Sequence, residues 1–313
     1  MKIFTIILCF IAAPFISGAE EPLNLAPQYV EGKNYHYVAQ LEMEVDQTVT
    51  APQKIENTFR LVLGGEADVS VTKVYENQSA DLRIRIVNPK LQLSVKNKED
   101  SSQDMAFDST QKEEAQGFFQ LLNPVTHCLE GTEFIVTVDP GGQAVDFKEW
   151  ESIKQKFNEE FNSTLPEAFK DNICSRINPQ LLKQVFNSFT FYLPDHPVNK
   201  GDKWTGNGNF ILIGNEGQWS IAESGGQTLT LKNEFPITEE KLKSMLPKSP
   251  FPMTIDNVSG GVLEVVTLEK GSHIMISNDF DFRVSANQKV DIPGQGEASA
   301  TYNIKVNLSL KKQ

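Results

Sequence analysis

The side chains best suited to catalysis are scattered along this chain. The four histidines stand one by one, and no His-Glu-x-x-His pair places two zinc ligands on one helical face. No Gly-x-Ser-x-Gly segment supplies the strand-turn-helix serine of an α/β-hydrolase. We therefore expect no catalytic residue, no metal site and no cofactor, and predict that the protein is not an enzyme. An enzyme whose residues meet only in the folded chain stays open as an alternative.

His127-Cys128 is the nearest approach to a metal pair. On a strand, adjacent side chains point to opposite faces, which favours a structural cysteine beside a surface histidine. Asp279 and Asp281 alternate with phenylalanines, so we expect both carboxylates on the wet face of one strand. Neither pattern predicts an ion site.

The start of the sequence indicates export. Residues 1–19 combine Lys2, an apolar run too short to span a membrane comfortably, and small residues before Glu20. Cys9 lies inside the run and not at its end, so no lipoprotein cysteine is present. We expect a cleaved signal peptide and a secreted or periplasmic protein.

The two remaining cysteines, Cys128 and Cys174, are predicted to pair as a disulfide in that oxidising compartment. Closing the loop would contribute roughly 4 kcal/mol in the chain-entropy model. Two buried free thiols are the alternative.

Charge limits the partners. The chain has 29 Lys and Arg against 41 Asp and Glu, a net charge of −12. This balance argues against nucleic acid and against an anionic membrane surface.

Long one-sided strands dominate the pattern. Residues 297–310 alternate apolar and polar side chains over about 46 Å at roughly 3.3 Å per residue. The same alternation appears over residues 35–96, where Tyr35, Tyr37 and Leu41 share one dry face, and again from residue 203 onward. The glycine pairs Gly64-Gly65, Gly225-Gly226 and Gly260-Gly261 are interpreted as turns.

The middle of the chain has helical periodicity. Capping boxes are predicted at Thr110/Glu113 and Asp146/Glu149, a third helix begins at Asn178-Pro179, and a short amphipathic segment covers 239–246. The order of strands, helices and strands predicts an α+β fold: a long curved, mainly antiparallel sheet packed on about three amphipathic helices. Two similar half-barrel halves are one arrangement of it.

The predicted organisation is a signal peptide at 1–19, a leader at 20–33, a strand-rich then helical half at 34–196, and a strand-rich half at 197–313 that packs with the first.

The apolar face of the predicted sheet must be covered by other elements or by a ligand. Large aromatics can fill a core or line a lipid site. The candidates for lining a hydrophobic-ligand site are Phe118, Trp150, Phe157, Phe186, Tyr302 and Val306.

Two segments resemble the exported bacterial family known as domain of unknown function 6263. They are Phe134 to Phe147 (FIVTVDPGGQAVDF) and Phe191 to Trp204 (FYLPDHPVNKGDKW). The resemblance implies an envelope or secreted protein of about this length, with no catalytic residue to transfer. In layout alone, the chain is also similar to periplasmic lipoprotein carriers, whose curved sheet holds acyl chains under helices.

Three functions follow. The first is an exported, non-enzymatic envelope protein that binds a lipid or acyl chain between sheet and helices. The second is a protein–protein interaction or structural module of the envelope with a solid core. Alternating strands also suit a transmembrane barrel, but the amphipathic helices and the Lys311-Lys312-Gln313 end favour a protein that is not integral to the membrane.

Overall fold

The protein is mainly β. The computed structural model describes residues 22–50, 54–111, 123–162, 178–188, 193–194, 196–210, 213–245, 253–292 and 296–313. Within the described residues, one 12-stranded sheet contains every strand, and all neighbouring strands are antiparallel, as predicted. The predicted α+β balance is corrected to mainly β, because the helices of the described residues are short: none exceeds 13 residues.

Most strands follow one another directly along the chain, and the helices lie mainly between β4 and β7. They are β1 Asn34–Val49, β2 Ile55–Val74, β3 Ala80–Asn97, β4 Met105–Asp108, β5 Glu133–Val138, β6 Ala144–Lys148, β7 Lys203–Phe210, β8 Ile213–Gly225, β9 Thr228–Pro236, β10 Met253–Glu269, β11 Met275–Ile292 and β12 Gly296–Lys312. The helices are α1 Asn123–Leu129, α2 Trp150–Asn162, α3 Pro179–Ser188 and α4 Glu239–Met245, with a 3₁₀ turn at Ser101–Gln103.

The first and last strands pair in the middle of the sheet. The order across the sheet is β6-β5-β3-β2-β1-β12-β11-β10-β9-β8-β7, and β4 pairs with β3 beside β5. At the centre, β1 and β12 are in register from Tyr37↔Lys312 to Val49↔Ala300. The ranges 34–196 and 197–313 thus contribute strands to one continuous sheet.

The two ends of this order, β6 and β7, follow each other in the chain with the helical segment between them. Helix α3 contacts both of these strands. At β6, the Asn187 Oδ1 accepts a hydrogen bond of 2.8 Å from the Ala144 backbone N–H. The helix therefore lies where further strands would be needed to close the sheet.

Of the three glycine pairs interpreted as turns, Gly225-Gly226 lies at the β8–β9 turn, as predicted, whereas the other two lie inside long strands. Gly64-Gly65 coincides with a register shift of β2 against β3. Gly260-Gly261 lies next to a register shift of β10 against β11. At Gly260 the φ is +139°, and an added Cβ would stand 2.0 Å from the Arg283 carbonyl oxygen. Glycine here permits a close approach within the sheet and not a reversal of the chain.

Two local predictions around the helices are wrong. Asp146 lies in β6 and not at a helix cap, and Glu149, which precedes α2, has a φ of +64°. His127 and Cys128 lie on helix α1 and not on a strand. The helices predicted at Trp150, at Pro179 and at Glu239 are present. The Thr110/Glu113 helix and residues 1–19 lie outside the described residues.

The core is concentrated under the second half of the sheet. Buried apolar side chains alternate along β9, β10 and β11, and α4 packs on β10 over one part of them. A second cluster, around Trp219, Leu231 and Val266, is sealed by Leu25 of the leader. In contrast, every residue of β1 is half-buried or exposed.

Candidate functional site

An apolar cavity of about 590 Å³ lies against the first half of the sheet. This volume falls within the roughly 300–1,000 Å³ of typical small-molecule sites. The residues that face it come from the sheet, the helices and the leader.

The sheet wall is formed by side chains on the predicted dry face. Because β1, β2 and β3 are in register, alternate residues on the three strands share that face. The wall contains Tyr35, Tyr37, Ala39 and Leu41 of β1, Leu63, Ala67 and Val69 of β2, Leu82, Ile84 and Ile86 of β3, Phe134 of β5, and Leu310 of β12.

The helices provide the opposite wall through Leu129, Ile153, Phe157 and Phe186. Phe186 packs edge-on against Phe147 of β6, with ring centroids 6.2 Å apart, and Phe147 stacks on Phe134 at 5.9 Å. The Lys156 ammonium of α2 donates to the Glu130 carbonyl at 2.6 Å and to the Thr132 hydroxyl at 3.1 Å. These contacts pack α3 on β6, stack β6 on β5, and tie α2 to the turn that precedes β5.

The leader closes one end of the cavity. Leu23 pairs with Val198 beside β7, the Gln28 N–H donates to the Ser272 carbonyl at the β10–β11 turn, and the Gly32 N–H donates to the Val71 carbonyl of β2. The leader therefore crosses from one side of the sheet to the other, and Pro27 and Tyr29 on it line the cavity.

Most polar side chains of the cavity wall gather at this leader end: they are the hydroxyls of Tyr29, Tyr35 and Tyr37 and the imidazole of His273. Glu66 and Thr132 are the other polar residues of the wall. The Tyr37 hydroxyl donates to the Met275 carbonyl at 3.0 Å, and the His273 Nδ1 lies 3.3 Å from the Ala26 carbonyl oxygen. Burial raises the pKa of all three tyrosines, with nearby carboxylates acting in the same direction. The three hydroxyls therefore stay protonated.

The candidate lining residues from the sequence are divided by the structure. Phe157 and Phe186 line the cavity, and Trp150 packs beside it against the cluster of β3, β5 and β6. Val306 is buried in the core cluster under β10–β12. The Tyr302 hydroxyl accepts a hydrogen bond from Gln47 near the far end of β12. Phe118 lies outside the described residues.

Cys174 also lies outside the described residues, so the disulfide stays a prediction. Cys128 is buried on α1, and its Sγ lies 3.8 Å from the Lys156 carbonyl oxygen.

The sheet and leader residues of the cavity were missed by the sequence analysis. Tyr35, Tyr37 and Leu41 are recognised there as a dry strand face, but the ligand site is assigned mainly to the helices. The register of β1 with β2 and β12 brings them together, and the one-sidedness of these strands was the available signal. No local sequence pattern indicates that Tyr29 of the leader lines the cavity.

A second polar feature lies in the other half of the sheet. Glu264 of β10 is 5% exposed within the apolar core, with Asn233 of β9 directly opposite in register. The Asn278 amide of β11 donates to the Glu264 Oε1 at 3.0 Å. Burial raises the pKa of Glu264 to about 7, against the opposing effect of the two asparagines. Gly217 makes room for this cluster, because a Cβ there would stand 1.9 Å from the Asn233 Oδ1.

Within the described ranges, His, Cys, Asp and Glu side chains form no group of three or more able to hold a metal ion. None of the helices in these ranges combines the length and apolar character needed to cross a membrane.

The fold and the site define a mainly β protein whose single open sheet carries an apolar cavity on its inner face. The model of the family of unknown function DUF6263 matches residues 90–272, more than half of the chain, and the chain belongs to this family. Both segments that carry the resemblance fall within the match.

Solved structures show distant likenesses. A structure of lipovitellin, described for its lipid–protein interactions, has 9% identity and a TM-score of 0.44 over 89% of this chain. The chain spans 25% of that lipovitellin chain. DynF of the dynemicin biosynthesis pathway of Micromonospora chersina has 9% identity and a TM-score of 0.18, with 93% and 85% of the two chains covered. TM-scores below 0.5 do not support a shared fold or function. No curated protein matches the chain in sequence.

Proposed function

We propose that this protein is an exported, non-enzymatic binding protein that holds a hydrophobic ligand, a lipid or acyl chain, between the first half of its sheet and its helices. The observation that carries the proposal is the 590 Å³ cavity with its apolar walls. Removing an apolar chain from water contributes roughly 25 cal/mol per Å² of buried surface. A cavity of this kind therefore favours an apolar ligand over water.

The architecture supports this proposal as a half-barrel. Helix α3 contacts both β6 and β7, which favours a sheet curved around the cavity. The leader crosses one end and α2 and α3 cover one side, so the ligand is enclosed by elements that are not part of the sheet. Export rests on the signal-like residues 1–19.

Native mass spectrometry of the protein purified from its own host tests the proposal. We expect a bound mass that organic extraction removes and that thin-layer chromatography identifies as a lipid. Protein that carries no such mass, and that does not take up an apolar fluorophore after extraction, would contradict the proposal.

A matched pair of variants locates the ligand. Ala39 lines the cavity, whereas Gln40, its neighbour on β1, is exposed on the other face. Ala39→Trp fills the cavity and should abolish the bound mass, because the indole occupies the ligand's space. Gln40→Trp adds the same ring outside the cavity and should retain the ligand. Loss of the ligand in both variants, or in neither, would place it elsewhere.

A further inference from the structure

The leader end of the cavity differs chemically from the rest of its wall. The remainder of the wall is mainly aliphatic and phenylalanine side chains, whereas this end presents the hydroxyls of Tyr29, Tyr35 and Tyr37. The Tyr37 hydroxyl donates to the Met275 carbonyl. Among the described residues, the Tyr29 and Tyr35 hydroxyls have no hydrogen-bond partner. Because burial raises the pKa of both, they remain O–H donors that face the cavity without an acceptor.

A cation lies at the same end. Lys312 is directly opposite Tyr37 in the β1–β12 register, and residues directly opposite each other in an antiparallel pair share a face. Its side chain therefore belongs to the inner face of the sheet, and its Nζ lies 5.5 Å from the centroid of the Tyr35 ring. The salt bridges among the described residues do not include Lys312, whereas Lys311 on the outer face lies 3.9 Å from Asp279.

The carboxylates nearest to this end are held in their own turns. The Asp139 Oδ1 accepts a hydrogen bond of 2.9 Å from the Gln143 N–H in the β5–β6 turn. The Glu269 carboxylate accepts from the Ser272 hydroxyl in the β10–β11 turn. Both acidic groups have local donors, which are neutral and leave the carboxylate charges in place. The ammonium of Lys312 and the hydroxyls of Tyr29 and Tyr35 are the groups at this end that can donate hydrogen bonds to a ligand.

The length of the cavity adds a second constraint. Its wall on β1 runs from Tyr35 to Leu41, about 20 Å at roughly 3.3 Å per residue. An extended chain of 16 carbons has 15 bonds and spans about 17–18 Å at the roughly 1.1–1.2 Å per bond of an extended backbone. A single long acyl chain placed along β1 therefore reaches from the tyrosines to the aliphatic end.

We infer that the ligand is a long-chain carboxylate, with its head group at the tyrosine end near Lys312 and its chain directed toward Leu41. This inference rests on the proposed function, since it specifies the ligand of the same cavity. Charge-assisted hydrogen bonds are roughly twice as strong as neutral ones. An oxyanion head should therefore be preferred over a neutral head of the same chain length.

Displacement of a neutral fluorophore tests the inference separately from the proposed function. N-phenyl-1-naphthylamine should bind the lipid-extracted full-length mature protein, because it needs only the apolar cavity. Palmitate should displace it at concentrations at least 10-fold lower than methyl palmitate, which has the same chain without the charge. Equal displacement by the two would overturn the inference and leave the proposed function standing. Failure of the fluorophore, palmitate and methyl palmitate to bind at all would overturn both.

Variants identify the groups involved. Lys312→Met should reduce the preference for palmitate over methyl palmitate by about 10-fold while fluorophore binding is unchanged. Lys311→Met, one residue earlier and on the outer face, should change neither value. Tyr29→Phe keeps the ring and removes the hydroxyl, and should lower palmitate affinity about 3-fold with fluorophore binding retained. A preference for palmitate that survives both Lys312→Met and Tyr29→Phe would overturn the placement of the head group.

Discussion

The two halves of the sheet have the same alternating sequence pattern and opposite interiors. Under β8 to β11 the inner side chains are buried, and Leu229, Leu231 and Val266 are fully inaccessible to solvent. On β1 and β2 the corresponding apolar residues are half-buried or exposed, apart from the buried Val71, and Leu63 is 40% exposed. Alternation fixes which side chains share a face but does not determine what covers that face.

The cover explains the difference. The space under the second half is filled by helix α4, by Leu23 and Leu25 of the leader, and by Trp204 and Trp219. Over the first half, α3 contacts the edge strand β6, and Trp150 of α2 packs on the cluster of β3, β5 and β6. The cavity lies between these helices and β1–β3. The first half therefore contains the cavity, and the second half is solidly packed.

The largest expected effect is on the free energy of unfolding, when a leucine on the inner face of each half is replaced by alanine. Leu231→Ala in the filled half should lower the free energy of unfolding by about 2–5 kcal/mol, because it leaves a cavity in a close-packed core. Leu41→Ala on the cavity wall should cost less than about 1.5 kcal/mol, because that side chain already borders open space. Urea unfolding of lipid-extracted protein measures both. Equal losses would mean that the two interiors are packed alike.

The bulge glycines provide a second comparison. Gly260→Ala should destabilise by about 3 kcal/mol, because its φ is +139° and the new Cβ would overlap the Arg283 carbonyl. Gly64→Ala in the other half should stay within about 1 kcal/mol, since the nearest atom to an added Cβ is 3.7 Å away. Thermal unfolding of the two variants distinguishes them. A tolerated Gly260→Ala would contradict the close approach of β10 and β11.

Glu264 should make the filled half sensitive to rising pH. Its pKa is raised from 4.5 to about 7, so the folded protein binds more protons than the unfolded chain between these values. Stability is therefore fully present below pH 4.5 and should fall by about 2–3 kcal/mol as the pH rises through 7. Urea unfolding at pH 5 and pH 8 measures the difference. Glu264→Gln should flatten the dependence, whereas Glu240→Gln on the exposed face of α4 should not.

Asp81 should have the opposite pH dependence in the first half. Burial alone would raise its pKa, but hydrogen bonds from Lys148, Thr137 and Tyr75 lower it overall. Its contribution is present above the ordinary carboxyl pKa and is lost as the pH falls below it. Asp81→Asn should cost about 1–2 kcal/mol at pH 7, because it breaks the 2.7 Å ion pair that ties β6 to β3. Thermal unfolding at pH 7, with the exposed Asp291→Asn as a control, tests this. Equal losses in the two variants would contradict the role of the network.

Most of the sheet could be predicted from the sequence, because strand alternation is a local property. Residues 297–310 and 203–233 were correctly identified as strand-forming, and their neighbours as antiparallel. Gly64-Gly65 and Gly260-Gly261 were misinterpreted, since a glycine pair inside a bulge has the same local composition as one in a turn, such as Gly225-Gly226. The two cases differ in whether neighbouring strands flank the glycines on both sides. Gly64, for example, lies between Ala39 of β1 and Lys90 of β3.

The site was less predictable because it depends on contacts between distant parts of the chain. Phe157 and Phe186 are identifiable as large aromatics on helices, and both lie on the cavity wall. Val306 and Tyr37 have the same alternating pattern, yet one is buried in the core and the other faces the cavity. The covering elements decide this, and no local pattern shows that Tyr29 in the leader closes one end.

The pairing of β1 with β12 also has a consequence for how the chain folds. These strands are joined by thirteen register pairs, whose partners lie at least 251 positions apart in sequence. Closing such a long loop is costly in entropy and slows folding. The central part of the sheet cannot form before the last strand has been synthesised, and until then β1 and β11 have unpaired edges open to aggregation. A chain that lacks β12 should therefore aggregate during folding and not simply lose one strand of its sheet.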